Sequence, residues 1–429
     1  MLSWGRAHKF DHDTSHPDYL SELSFKQLVQ PTTIYGQGRS YGDVALNDGG
    51  LLLRTDHLNR LVTADWQTGI IRAEAGMTLD QLLQVCVPHG WFLPVTPGTK
   101  FVSLGGAVAN DVHGKNHHHM GSFGAHIHQL ELRRSDGEIL LLSPDSNSEL
   151  FEVTISGLGL TGIIQWVELQ LIPIRSPMMQ VENYPYKTLD DFFELSAESE
   201  EWPYSVAWLD CFAQGKALGR GIFTRARHNP KPTPLTTHPA RPRLKWPVDA
   251  PSRMLNYASI RSFNWLYRMR PGARMKGAQH YNPFFYPLDG IADWNRMYGT
   301  PGFYQYQAIV PEPSAKAAMV KLLQAINAAK QGSFLAVMKH HGTERSPGRN
   351  SFCMQGTSLA LDFANKGPAL RQLFSMLDDI VAQYGGRLYP AKDGLMSPQI
   401  YQMGFPNWKD IEKLRDPALN SAFWARVTG

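Results

Sequence analysis

The chain has 429 residues, 43% hydrophobic and 19% charged, which excludes a disordered chain and, at this length, one small core. A net charge of +4 is too mild to announce nucleic-acid binding. Cys86, Cys211 and Cys353 are odd in number, far apart and free of any CxxC pattern, which excludes a disulfide framework or a cysteine-built zinc site and fits a reducing compartment.

The first twenty residues hold no apolar stretch of signal-peptide length, and no run approaches about 18 consecutive apolar residues. The expectation is a cytoplasmic chain with no spanning helix. Residues 31–175 read as an α/β region, with strands over 51–55, 70–76 and 163–174. A helix is predicted from Thr78 to His89, where Leu79, Leu82, Leu83 and Cys86 recur at helical spacing and Gly90 follows as a stop.

Seven prolines fall between Pro230 and Pro251, so 228–251 is expected to be a loop or mobile lid. From Arg241 to Lys276 nine basic residues face one acid, Asp249, with Phe263, Trp265, Leu266 and Met269 interleaved. That composition fits a solvated basic loop and helix, or a flap that touches a phosphate or an anionic membrane surface.

Residues 302–393 carry a clear order. Strands are predicted over 303–310, 333–340, 358–364 and 387–393. Helices are predicted from Ser314 to Gln331 and from Pro368 to Tyr384. The order βαββαβ predicts an antiparallel sheet with helices on one face.

Three glycine-rich segments can carry chemistry. In Gly36-Gln37-Gly38-Arg39-Ser40-Tyr41-Gly42, small residues leave backbone N–H groups uncovered for a pyrophosphate, and Ser40 adds a hydroxyl. Small residues from Gly105 to Ala109, after Gly98-Thr99 and Ser103, allow close approach of a flat ligand or of another element. Gly157-Leu158-Gly159-Leu160-Thr161-Gly162 is a literal GxGxxG. A predicted strand follows it and a helix precedes it, the reverse of the dinucleotide-binding order, so a nicotinamide-type site is rejected.

His117, His118 and His119, with His113 and His126 nearby, invite a metal reading. Consecutive side chains point in different directions, so no metal is expected there. A metal-dependent hydrolase is the weakest of the functional readings.

Taken together, GQGRSYGD, PGT, SLGGAVANDVHGKNHHHMGSFG and GLGLTGII resemble the FAD-binding domain of the vanillyl-alcohol-oxidase, or PCMH-type, flavoproteins. FYPLDGIADWNRMYGTPGFYQYQ, LAVMKHHG and YGGRLYPAKD extend the likeness over nearly the whole chain. Within the superfamily it is most specific to the decaprenylphosphoryl-β-D-ribose 2′-oxidases.

The resemblance implies a two-domain α+β fold. An FAD-binding domain would span 1–175, completed by the tail 390–429, and an antiparallel-sheet substrate domain would span 176–389. The cofactor set it implies is Gly36, Gln37, Gly38, Arg39, Ser40 and Tyr41; Gly98, Thr99, Ser103, Gly105 and Gly106; Asn110, His113, Gly114 and Asn116; and Gly159, Gly162 and Ile163. The substrate would meet Tyr286, Gln305, Gln307, Lys339 and Lys392, with Lys392, Tyr41 and His113 catalytic. Arg39 stands where many relatives carry the histidine that bonds FAD covalently, so non-covalent FAD is expected. Ala360 and Ser358 stand where a cysteine and an asparagine are found in the actinobacterial ribose oxidases, which implies an altered pocket.

The activity implied is oxidation of a sugar hydroxyl, on a lipid-linked or free sugar. An NAD(P)H-dependent short-chain reductase is the implied partner, and association with the inner face of the plasma membrane the implied setting. A soluble aldonolactone or alditol oxidase and a non-catalytic flavin-binding subunit are the alternatives.

Overall fold

A computed structural model of the chain describes residues 1–22, 31–239, 242, 244–251 and 254–429. Arg241 and Arg243, in the proline-rich and basic segments, and Arg253, in the basic segment, lie outside the described residues.

The first unit is built mainly on a three-stranded and a five-stranded sheet. Asp13–Ser15, Leu51–Arg54 and Thr32–Tyr35 run parallel in that order. Leu61–Asp65, Ile70–Glu74, Ile163–Gln170, Ile127–Arg133 and Ile139–Leu142 form an antiparallel five-stranded sheet. The expected strand over 163–174 breaks at Leu171, whose N–H turns to the carbonyl of Gly69. Ile172–Pro173 then pairs with Trp91–Phe92 instead.

The expected helix at Thr78 is an α-helix, Leu79–Cys86, extended by a 3-10 turn, Val87–His89, and ended by Gly90 at φ +82°. Thr78 and Gln81 form a reciprocal capping box at its start. Leu79, Leu82, Leu83 and Cys86 are all buried, each leucine contributing on the order of 1.5–3 kcal/mol of hydrophobic stabilisation. The helix Ser148–Thr154 precedes the GxGxxG segment and the strand Ile163–Gln170 follows it, as the rejection of a nicotinamide-type site required.

The second unit is an eight-stranded antiparallel sheet. Its order is Lys276–His280, Met178–Tyr186, Gly221–His228, Tyr204–Leu209, Ala336–His341, Gly356–Ala364, Phe303–Pro311, Arg387–Leu388. The last four strands and the helices Glu312–Ala328 and Pro368–Gln383 make up the predicted βαββαβ unit. Several boundaries shift: the second strand begins at Ala336, not 333, and the third at Gly356, not 358. The first helix starts at Glu312, because Pro313 suits an opening turn, and it stops before Lys330, which adopts φ +51°.

The expected strand over 387–393 ends at Leu388. Pro390 has no N–H for the ladder, and the carbonyl of Tyr389 takes the N–H groups of Lys392 and Asp393 in a turn.

Alternation in this sheet sorts its side chains. Tyr306, Ala308, Val310, Leu359, Leu361 and Met338 join Met319, Leu322, Leu373 and Leu377 of the two helices in one core. The intervening Gln305, Gln307, Val337, Lys339 and Ala360 line a cavity on the opposite face.

The tail returns to the first unit. The N–H of Thr32 donates to the carbonyl of Ala418, and that of Asn420 to Thr32. Arg426 bridges Asp43 at 2.7 Å and Asp393 at 3.0 Å.

Past His228, the described residues of the proline-rich segment include a short strand, Leu244–Lys245, paired with Ile291–Ala292. It is anchored at buried His238, which meets Asp80 at 2.7 Å and the Tyr281 phenol at 2.6 Å. The basic segment carries a helix, Tyr257–Met269, capped by the Asn256 side chain.

Candidate active site

A cavity of about 650 Å³ runs between the first unit and the open face of the eight-stranded sheet. That volume lies within the usual range for cofactor and ligand sites. Most of the residues implied by the sequence meet in its wall. Gly36 through Tyr41 line it, as do Gly98, Thr99, Ser103, Gly105 and Gly106. Asn110, His113, Gly114, Gly159, Gly162, Gln305, Gln307, Lys339 and Lys392 line the same cavity.

Asn116, Ile163 and Tyr286 stand outside that wall. The Asn116 amide donates to the carbonyl of Pro94 at 2.7 Å. Ile163 packs with Leu53 and Leu58, and the strand alternation turns its neighbour Ile164 to the cavity instead. Tyr286 is buried, its phenol 2.6 Å from the Thr96 hydroxyl.

The glycines have different local causes. A Cβ on Gly42 would lie 1.7 Å from the carbonyl oxygen of Asp393. Glycine there lets the first loop and the C-terminal turn touch, and the N–H of Tyr41 donates to the carbonyl of Ala391 at 3.0 Å. Gly105 packs against Ala75. A Cβ on Gly98 would meet nothing within 4 Å. Packing does not explain its smallness, whereas a bound planar or phosphorylated group would. This open cradle and the volume of the cavity fit the FAD that the resemblance implies.

Ionisable groups cluster around Lys392. The Lys392 Nζ lies 3.9 Å from the centroid of the Tyr41 ring. Burial pushes its ammonium down to about 8, Asp362 opposes this, and Lys339 adds to it. Asp362 accepts from the Gln305 amide and, at 3.5 Å, from the Tyr298 phenol. Burial raises its carboxyl to about 7, against the pull of those bonds and of Lys392. Lys339 is likewise pushed down to about 8 by burial.

The Gln307 amide donates to His113 Nε2 at 2.9 Å. Burial, with Lys339, His117 and Lys392 nearby, holds His113 well below its ordinary value and so neutral. With Nε2 accepting, Nδ1 carries the proton, and it has no partner among the described residues.

Three participants were missed in the sequence. Lys115 lines the cavity and donates to the carbonyls of Phe284 and Phe285 at 2.9 and 3.0 Å. Burial, then Lys339, pushes it down to about 7. Asp289 lines the cavity beside Thr99 and is raised to about 6 by burial. Both lie in quoted motifs, HGKN and FYPLDG, where a charged residue among apolar neighbours was the available signal. Asp362 needed the strand register that sets it opposite Gln305.

His117, His118 and His119 open a short helix and diverge. His118 and His119 bond to the carbonyls of Trp202 and Glu200, while His117 turns inward.

Comparison with known proteins follows the same lines. The family model described as FAD binding domain matches residues 25–143. The chain is 34% identical over 398 residues to decaprenylphosphoryl-beta-D-ribose oxidase of Mycolicibacterium smegmatis, covering 89% of this chain and 85% of that one. L-gulonolactone oxidases of Mus musculus and Scyliorhinus torazame are 28% and 31% identical. The mouse match covers 34% of this chain and 33% of its own, the other 37% and 35%.

Proposed function

Because the chain belongs to the decaprenylphosphoryl-β-D-ribose oxidase family of FAD-dependent oxidoreductases, we propose that it oxidises the 2′-hydroxyl of a polyprenyl-phosphoryl ribose. This is the first half of a ribose-to-arabinose epimerisation. The observation that carries the reading is the placement of half-buried Lys392, beside Tyr41, in a cavity wall that also holds Gln305, Gln307 and Lys339.

FAD, when bound, supplies a two-electron acceptor for the hydride on the carbinol carbon. The residues of this chain do the rest. Lys392, as the free amine, takes the hydroxyl proton at Nζ; its lowered affinity for protons makes this feasible near neutrality. Gln305 and Gln307 stand two apart on one strand and address one side. One N–H of each amide is engaged, by Asp362 and by His113, and the carbonyl oxygens are placed to accept sugar hydroxyls. Lys339 provides a point charge for the phosphate. Gly98 and the 36–42 loop hold the cofactor, and Arg39 offers no imidazole for a covalent link.

The product ketone calls for a hydride donor as the next step, and an NAD(P)H-dependent short-chain reductase fits that chemistry. We also place the lipid-facing surface on the helix Tyr257–Met269. Phe263, Trp265, Leu266 and Met269 are exposed on it, alongside Arg261, Arg268 and Arg270. No helix among the described residues is long and apolar enough to cross a membrane, so contact would be peripheral.

The test compares substrates under anaerobic conditions. Polyprenyl-phosphoryl ribose should bleach the flavin band, and sugar lactones or alditols should not. The opposite pattern would move the protein to the aldonolactone or alditol oxidases, the second reading supported by its shorter likeness to L-gulonolactone oxidases.

A further inference from the structure

Behind the wall that carries His113 lies a cluster with no part in the proposed oxidation. His117, His341 and Cys353 each place one ligand atom within 4.8 Å of the others. None of the three lines the cavity. They come from distant parts of the chain. His117 opens a helical turn, His341 ends the strand Ala336–His341, and Cys353 lies in the loop before Gly356–Ala364. No spacing in the sequence announces them as a set.

Their polar atoms are unusually idle. His117 is 1% exposed, yet neither ring nitrogen has a hydrogen-bond partner among the described residues. Leaving such groups unpaired is costly. His341 is fully buried and uses Nε2 on the Ser358 hydroxyl at 2.9 Å, while its Nδ1 has no partner among the described residues. A bond from the far nitrogen to a fixed polar group is the arrangement that orients a metal-ligating imidazole. The His117 and His341 rings already face each other, with centroids 4.5 Å apart.

We infer that His117, His341 and Cys353 form a binding site for a thiophilic d¹⁰ cation. Two imidazoles and a thiolate are a donor set for Cu⁺ or Zn²⁺. Ligand atoms around such an ion stand about 3.2–3.8 Å apart, so the set closes by roughly 1 Å on binding. Binding forms one metal–sulfur and two metal–nitrogen bonds, and the Cys353 thiol gives its proton to the solvent. Lys339, on the same strand as His341, acts electrostatically on all three residues. Cu⁺ with a thiolate adds no net charge beside that lysine, whereas Zn²⁺ adds one positive charge, so Cu⁺ is expected to bind the more tightly. Ser358 is the positioning residue for His341.

The test uses the full-length flavin-loaded protein, with metal content measured after equilibration with one to three equivalents of Cu⁺ or of Zn²⁺ and passage over a desalting column. The expected result is one equivalent of Cu⁺ or Zn²⁺ retained, and at least tenfold weaker retention in His341→Phe and in Cys353→Ser. Unchanged flavin absorbance in both variants controls for folding. Retention of neither ion, or equal retention in both variants, would overturn the assignment.

Discussion

Lys392 and Tyr41 are 351 positions apart in the chain, yet the lysine Nζ sits 3.9 Å from the centre of the tyrosine ring. Two features hold them there. The Tyr41 N–H bonds to the carbonyl of Ala391, and Gly42 leaves no side chain to push Asp393 away. The C-terminal turn therefore delivers a half-buried amine to the loop proposed to hold the cofactor. Lys392→Ala should bind FAD normally but lose about 10²–10⁴-fold in flavin reduction by substrate. Stopped-flow absorbance under anaerobic conditions measures this, and near-normal reduction would remove Lys392 as the base.

The pH dependence has a definite sign. A base must be unprotonated to act, and burial lowers Lys392 to about 8. Flavin reduction should rise with pH, about tenfold per unit below 8, and level off above it. A rate that is flat from pH 6 to 9 would contradict this assignment.

Lys339 has two separable effects. Lys339→Ala should raise KM for a phosphorylated sugar by about tenfold or more while affecting an unphosphorylated sugar little. Lys339 also depresses Lys392. The same substitution should therefore move the pH profile to higher pH. A KM effect without that displacement would mean that the two ammonium groups do not communicate.

Gly98 tests the cofactor cradle. A Cβ there meets no protein atom within 4 Å, so Gly98→Val should purify without flavin and melt at the temperature of the wild-type apoprotein. Retention of FAD at wild-type stoichiometry would place the cofactor elsewhere in the cavity.

Much of this was legible in the sequence because it rests on local rules. The helix at Leu79–Cys86 followed from four apolar residues at helical spacing, and the βαββαβ order from alternating periods. Gln305 and Gln307 share a face simply because they are two apart on a strand. What could not be read depended on pairing across the chain. Asp362 matters because the register sets it opposite Gln305. His117 parts from His118 and His119 because a helical turn fans them apart, and its partners His341 and Cys353 are brought by tertiary contact alone. The last strand stops at Leu388, short of the expected 393, because Pro390 has no N–H for the ladder.

The basic helix gives a test away from the chemistry. Trp265→Ser with Leu266→Ser removes two residues that are 59% and 61% exposed. Binding to vesicles rich in anionic lipid should fall by about tenfold or more, with flavin content unchanged. Equal vesicle binding would leave the segment as a solvated loop and helix.

The most direct measurement is anaerobic flavin reduction by a polyprenyl-phosphoryl ribose, with and without deuterium at C2′. The expected result is bleaching of the flavin band by the lipid-linked sugar, slowed by the deuterium. An unmoved flavin band with this substrate, in a protein whose flavin is bleached by a lactone or an alditol, would contradict the proposed oxidation.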